Sequence, residues 1–191
     1  MTLAPIFLLV IAAASLWFTR NRPIRTQWGL SAAMALLSWI AILALRLGPD
    51  ANLELSVWQP TQLFRSPLSL SIDPITWPIA YAVVTVLVAM VFTSASREMA
   101  PSVRVRVFWF LYTGAAYLAI LADNMLTIVS TWTLFDLVSA VFLFSFLRSK
   151  SEINQIFTRL SVDFIGILLV LAGAAINISL GKGAGLVEPL G

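Results

Sequence analysis

The sequence predicts an all-α membrane protein with six transmembrane helices and a β-hairpin in the outer loop between the second and third. Three observations carry that expectation. Of 191 residues, 60% are hydrophobic and 11% charged, against about 25% charged in soluble domains. Six stretches, 3–19, 28–47, 75–94, 106–122, 125–147 and 162–181, are apolar over much of their length. A helix needs about 20 such residues to cross a hydrocarbon core about 30 Å thick. The connections are short, so neighbouring helices run antiparallel and residues 1–191 form a single membrane domain with no separate soluble part.

In the first stretch, Met1 to Phe18 has no positively charged start, and its arginines follow the apolar run. A cleaved leader has the opposite order, so this segment reads as a retained helix. The second stretch follows Arg20, Arg22 and Arg25. After it comes the longest connection, 48–74, with its own pattern. Leu53, Leu55 and Val57 alternate with Glu54 and Ser56, and Leu68, Leu70 and Ile72 alternate with Ser69 and Ser71. Pro60 and Pro67 lie between, with Gln59, Thr61 and Gln62. Period-two alternation on both sides of a turn-rich segment predicts a hairpin over 53–72, with one apolar face that needs a cover. Asp73-Pro74 then opens the third helix, Asp as N-cap and Pro at the first helical position.

Basic residues sort by side. Arg20, Arg22 and Arg25, then Arg97, Arg104 and Arg106, then Arg148, Lys150 and Arg159 all fall at one end of the expected helices, leaving Arg46, Arg65 and Lys182 at the other. The positive-inside rule places the richer side in the cytoplasm and both termini outside. The net charge of +3 therefore reads as topology, and no nucleic-acid partner is expected. The chain has no Cys and no His, which removes thiolate chemistry, structural zinc, haem histidines and iron–sulfur ligation. Gly181-Lys182-Gly183 lacks the spacing of a phosphate-binding loop. No cofactor, metal or catalytic chemistry is expected on this chain; redox work belongs to another.

A carboxylate far from the interface is costly and marks function by default. Asp136 alone sits near the middle of an expected helix. Thr133, Asp136 and Ser139 form a polar stripe at helical spacing, with Trp132 and Ala140 beside it, and such a stripe should face other helices or a hydrated cavity. Asp163 lies at the start of the sixth helix, four residues after Arg159, and the two meet on one face if that helix begins early. Plainer readings stand beside these. Asp163 is an interfacial acid stabilised by a helix dipole and water, and Asp136 is polar glue between helices.

The order of features resembles the amino-terminal part, helices 1–6, of the antiporter-like membrane subunits of respiratory complex I. That family includes subunits of multisubunit cation/proton antiporters and membrane-bound hydrogenases. Leu70-Ser71-Ile72-Asp73-Pro74-Ile75 is similar to its acidic-proline motif opening the third helix. Phe108 to Asn124, ending Leu121-Ala122-Asp123-Asn124, resembles its fourth helix and the turn after it. Phe135-Asp136-Leu137-Val138 looks like the Trp-Glu-Leu-Val core of its fifth, and Arg159-Leu160-Ser161-Val162-Asp163-Phe164 resembles its Asn-Arg-Val-Gly-Asp-Phe segment.

The resemblance implies a truncated or split antiporter-like subunit of a complex I-type assembly, in the bacterial inner membrane or an energy-transducing organelle membrane. Asp136 would be the proton carrier, Asp163 and Arg159 would tune it, and Thr133 and Ser139 would hold water or relay hydrogen bonds. Two departures bear on this. The family's acid is usually Glu, and its working unit adds a broken helix with a buried Lys and a second inverted repeat. Here Lys150 and Lys182 are expected in loops, so a partner membrane chain would supply the missing helices. The alternative is a structural or assembly subunit without transport activity. A small independent transporter acting as an oligomer would need more polar groups at mid-membrane than this chain has.

Overall fold

The computed structural model describes residues 3–47, 51–55, 68–96, 101–146 and 150–179, some of them, Arg159 included, by backbone alone. These residues form six helices and two strands in the order α1 (Ala4–Phe18), α2 (Ile24–Arg46), β1 (Ala51–Leu55), β2 (Leu68–Ile72), α3 (Thr76–Ala95), α4 (Val103–Ile120), α5 (Met125–Phe146) and α6 (Lys150–Ser179).

Local chemistry sets the boundaries. Pro5 opens α1 at a position whose N–H would have no helical partner. Pro23 precedes α2, which starts earlier than the apolar run because Thr26 and Gln27 are accommodated in its first turn. Helix α3 opens at Thr76 with Ile75 in the N-cap position, so Asp73 and Pro74 form the turn ahead of it and not its N-cap and first residue as expected. In that turn the Asp73 carboxylate accepts from the backbone N–H of Ile75 at 2.8 Å and of Thr76 at 2.6 Å. The Thr76 hydroxyl in turn accepts from the Asp73 N–H at 3.0 Å, a reciprocal cap. Ser102 caps α4, which begins at Val103, three residues ahead of the expected start, so that Arg106 is its fourth residue and not its first.

The sixth helix differs most from expectation. It begins at Lys150, not near 162. The segment Lys-Ser-Glu-Ile-Asn-Gln-Ile-Phe-Thr-Arg is polar and reads as a loop, but it contains neither Gly nor Pro and nothing in it stops a helix. Lys150, expected in a loop, is the first residue of α6.

Four helices, α2, α3, α4 and α5, are long and apolar enough to cross a membrane. With 15 residues, α1 is about 22 Å long, and the described apolar part of α6, Leu160–Gly173, is also shorter. Large apolar side chains along these helices are exposed in the isolated chain, among them Phe7, Ile40, Val86 and Leu169. In water that surface would be untenable; in lipid it is solvated. The chain is an integral membrane protein.

It divides into two compact units. In the first, residues 1–52 and 71–121, α1 packs on α2 and α4, and α3 packs on α2 and α4, closing a four-helix ring. Its core is Leu9, Ala12, Leu16, Ala35, Leu87, Val91, Val107 and Phe110. Small residues on the α1 side, with Gly114 against Leu9, let helix backbones approach. Between α2 and α3, the Trp39 indole donates to the Thr85 hydroxyl at 3.0 Å and Trp77 to the Ile42 carbonyl at 3.0 Å. Tyr81 stacks on Trp77, which Arg46 approaches from the end of α2.

The second unit comprises residues 53–70 and 122–191. There α5 packs on α6, with Phe144 edge-on to Phe157 at 5.6 Å. Strands β1 and β2 pair as a two-stranded sheet; the connection 56–67, where the hairpin turn is expected, lies outside the described residues. On β2, Leu70 and Ile72 are buried, as alternation predicts, but Ser69 is buried too. Ser69 is claimed by the turn before α5. Its N–H donates to the Thr127 hydroxyl at 2.9 Å, and its hydroxyl accepts from the Asn124 amide at 2.7 Å. An antiparallel bridge between Leu70 and Ala122 completes the seam.

Candidate functional site

Asn124 builds the start of α5. Its side-chain oxygen accepts from the Thr127 N–H at 2.9 Å and the Thr127 hydroxyl at 2.8 Å, while its amide holds Ser69. A helix anchored this way fixes the rotational setting of everything along it. Asp136 lies midway between Met125 and Phe146, about 15 Å of helix from either end.

The three residues of the stripe are brought onto one helix but not into one environment. Thr133 is exposed on this chain, whereas Asp136 and Ser139 are half-buried. The inward line of α5 runs instead through Leu126, Thr127, Thr131 and Ala140. The Thr133 hydroxyl donates to the Val129 carbonyl at 2.6 Å and Ser139 to the Phe135 carbonyl at 2.9 Å. Their protons are therefore committed to the helix itself, and each oxygen is left as an acceptor facing away from it. Trp132 stands exposed beside the stripe.

On α6, Asp163 is half-buried, and its neighbours Val162 and Phe164 are exposed. Because α6 starts at Lys150, Arg159 is helical and precedes Asp163 by one turn of the same helix. Neither Asp136 nor Asp163 lacks an interaction partner. Chemically, Asp136 can bind and release one proton, with two hydroxyl oxygens on its own helix available to accept from water or from the protonated acid.

Sequence reasoning passed over a second polar cluster, in the four-helix ring. Arg106 is 1% exposed. One of its Nη groups donates to Gln27 Oε1, and its guanidinium lies 4.4 Å from the centre of the Trp28 ring. Gln27 is held rigid, its amide donating to the carbonyls of Arg20 at 3.0 Å and Arg22 at 2.8 Å, with Thr19 at 3.4 Å. The Nε and the other Nη of Arg106 are buried without a hydrogen-bond partner. The available signal was Gln27, the one amide side chain of α2, in its first turn.

No protein-family model matches the chain, and no curated protein does. Among solved structures, it is similar to a chain in the structure of the membrane-bound sulfane sulfur reductase (MBS), an archaeal respiratory membrane complex. The TM-score is 0.62 at 18% identity over 97% of this chain. The likeness is one of fold, and this chain spans 28% of the length of that one.

Proposed function

We propose that this chain is a non-redox membrane subunit of a complex I-type energy-converting assembly and contributes part of a proton path through Asp136. The observation that carries the reading is a half-buried carboxylate at the midpoint of a 22-residue apolar helix. Ionisation at that depth is expensive, and a residue kept there despite the cost is best explained by a proton it must carry. The likeness in fold to part of a chain in an archaeal respiratory membrane complex supports the setting. In this reading all six helices span the bilayer, the arginine-rich ends face the cytoplasm and both termini lie outside. Asp163, with Arg159 one turn before it, biases the proton affinity of the path. Thr133 and Ser139 accept hydrogen bonds from its water, and a partner membrane chain supplies the lysine.

The test replaces Asp136 in the assembled host complex. Asp136→Asn retains size and hydrogen bonding but cannot ionise; assembly should persist while protons moved per turnover fall. Asp136→Glu should keep most activity. Full pumping by a fully assembled Asn variant rejects the carrier role.

One observation favours the second reading, a structural subunit without transport. The stripe hydroxyls donate to their own helix and not outward, as they would if α5 served only to pack. Under it, Asn is tolerated in both assays and Asp136→Leu disrupts assembly.

The orientation has its own test. The chain contains no cysteine, so single cysteines at Asn21 and Leu47, flanking α2, can be labelled without background. They should react from opposite sides, Asn21 from the cytoplasm.

A further inference from the structure

The four helices of the ring contain no Asp or Glu at all. At the end where the α1–α2 turn meets the start of α4, every charged side chain among the described residues is basic. Arg20, Arg22, Arg25 and Arg104 are exposed there, and Arg106 is buried beneath them. Arg106 occupies the first turns of α4, the end of a helix that repels cations. Its contacts are an amide oxygen and an indole face, neither of which neutralises it, and two of its nitrogens have no acceptor. A buried guanidinium with open donors, at a dipole end of the wrong sign, calls for an anion.

We propose that this end of the ring binds the phosphate of an anionic phospholipid headgroup, with Arg106 as the inner cation and Arg20 and Arg104 as the outer ones. Geometry ties the cations together. Gln27 accepts from Arg106 and donates to the backbone of Arg20 and Arg22, so the turn and the buried guanidinium form one hydrogen-bonded body. A lipid suits the surroundings better than a soluble anion. Phe18 is 83% exposed and Ile24 55% exposed next to the same turn, offering apolar surface for acyl chains. Trp17, with Arg20 over its ring at 5.2 Å, presents an indole to the same end, where membrane proteins place their aromatic belts. Basic pockets between spanning helices are established headgroup sites.

The test uses the full chain in mild detergent, with thermal unfolding followed during titration by phosphatidylglycerol, phosphatidylcholine or inorganic phosphate. Phosphatidylglycerol should raise the midpoint and phosphatidylcholine should not. Replacing the two exposed outer arginines, R20Q with R104Q, should weaken the apparent affinity about tenfold. Arg106→Met, apolar and of similar reach, should abolish the response. If Arg106→Met does not fold, the outer-arginine variant decides alone, since both side chains are exposed. Identical responses from wild type and variants overturn the proposal. An equal response to inorganic phosphate also overturns it, assigning the site to a free anion.

Discussion

The two units divide packing from titration. In the ring of α1 to α4, the helices bury one another, and Leu9, Leu16, Val84 and Phe110 are wholly inaccessible. Yet these helices hold no carboxylate. In the second unit, α5 and α6 leave Leu137 59% and Leu169 67% exposed, and six of the nine acidic residues belong to this part of the chain. A well-packed helix pair has little room for a group that changes charge, because either protonation state would be mis-solvated in turn. A loosely covered pair can admit water or a partner chain beside its acid. The ring is thus suited to be scaffold and α5–α6 to be the part that works against neighbours.

That contrast can be broken most directly in the cores. Phe110→Ala, in the ring, should cost about 3–5 kcal/mol. Leu169→Ala, on the exposed face of α6, should stay within about 0.5 kcal/mol. Unfolding of the purified chain in detergent measures both. Equal losses would mean that the ring is no better packed than its neighbour.

A smaller effect is expected where β2 meets α5. Asn124→Ala removes the helix cap and the bond to Ser69, for about 1–2 kcal/mol. The loss should be local, read as faster amide exchange at Ser69 and Thr127, with the ring amides unchanged. Spread of the effect into α1 would show that the two units do not open independently.

The smallest effect belongs to the cap of α3. The backbone N–H of Thr76 holds the Asp73 carboxyl below the usual carboxylate range, aided by Ile75 and the Thr76 hydroxyl against partial desolvation. A pKa depressed on folding stabilises above the ordinary value of 3.8, and this contribution is lost as pH falls through the depressed one. Asp73→Ala should cost about 1 kcal/mol near neutral pH, and the difference from wild type should close only in that acid range. A difference that vanished between pH 5 and 8 would assign the effect to another group.

How much of this was legible in the sequence follows from the range of the forces involved. Asp73 could be read as the acceptor for the N–H groups opening α3 because its partners are two and three residues away, although the N-cap position itself falls on Ile75. The helices announced themselves through runs of apolar residues long enough to outweigh any single contact. Ser69 could not be read correctly, because alternation points it outward and the groups that bury it, Asn124 and Thr127, are 55 and 58 residues distant. Arg106 was taken as a marker of membrane side. Flanking-charge rules sort arginines by side and carry no information on depth, and only the packing of the ring reveals that Arg106 is buried. For the candidate site, the spacing of Thr133, Asp136 and Ser139 placed them on one helix. It could not show that both hydroxyl protons return to that helix.

The unbroken course of α6 has a mechanical consequence. Its 30 residues make a rod about 45 Å long, half again the hydrocarbon thickness of about 30 Å. Lying wholly within that layer would require a tilt of about 48°, beyond the range of about 0–40° seen for spanning helices. In the proposed six-span arrangement, part of α6 therefore stands clear of the lipid, and the polar stretch from Lys150 to Arg159 is the part with least reason to stay. Continuous helix between that arm and Asp163 leaves no joint to absorb a twist. A protein gripping the arm at the surface would turn the acid with it, as a key turns the bolt at its far end.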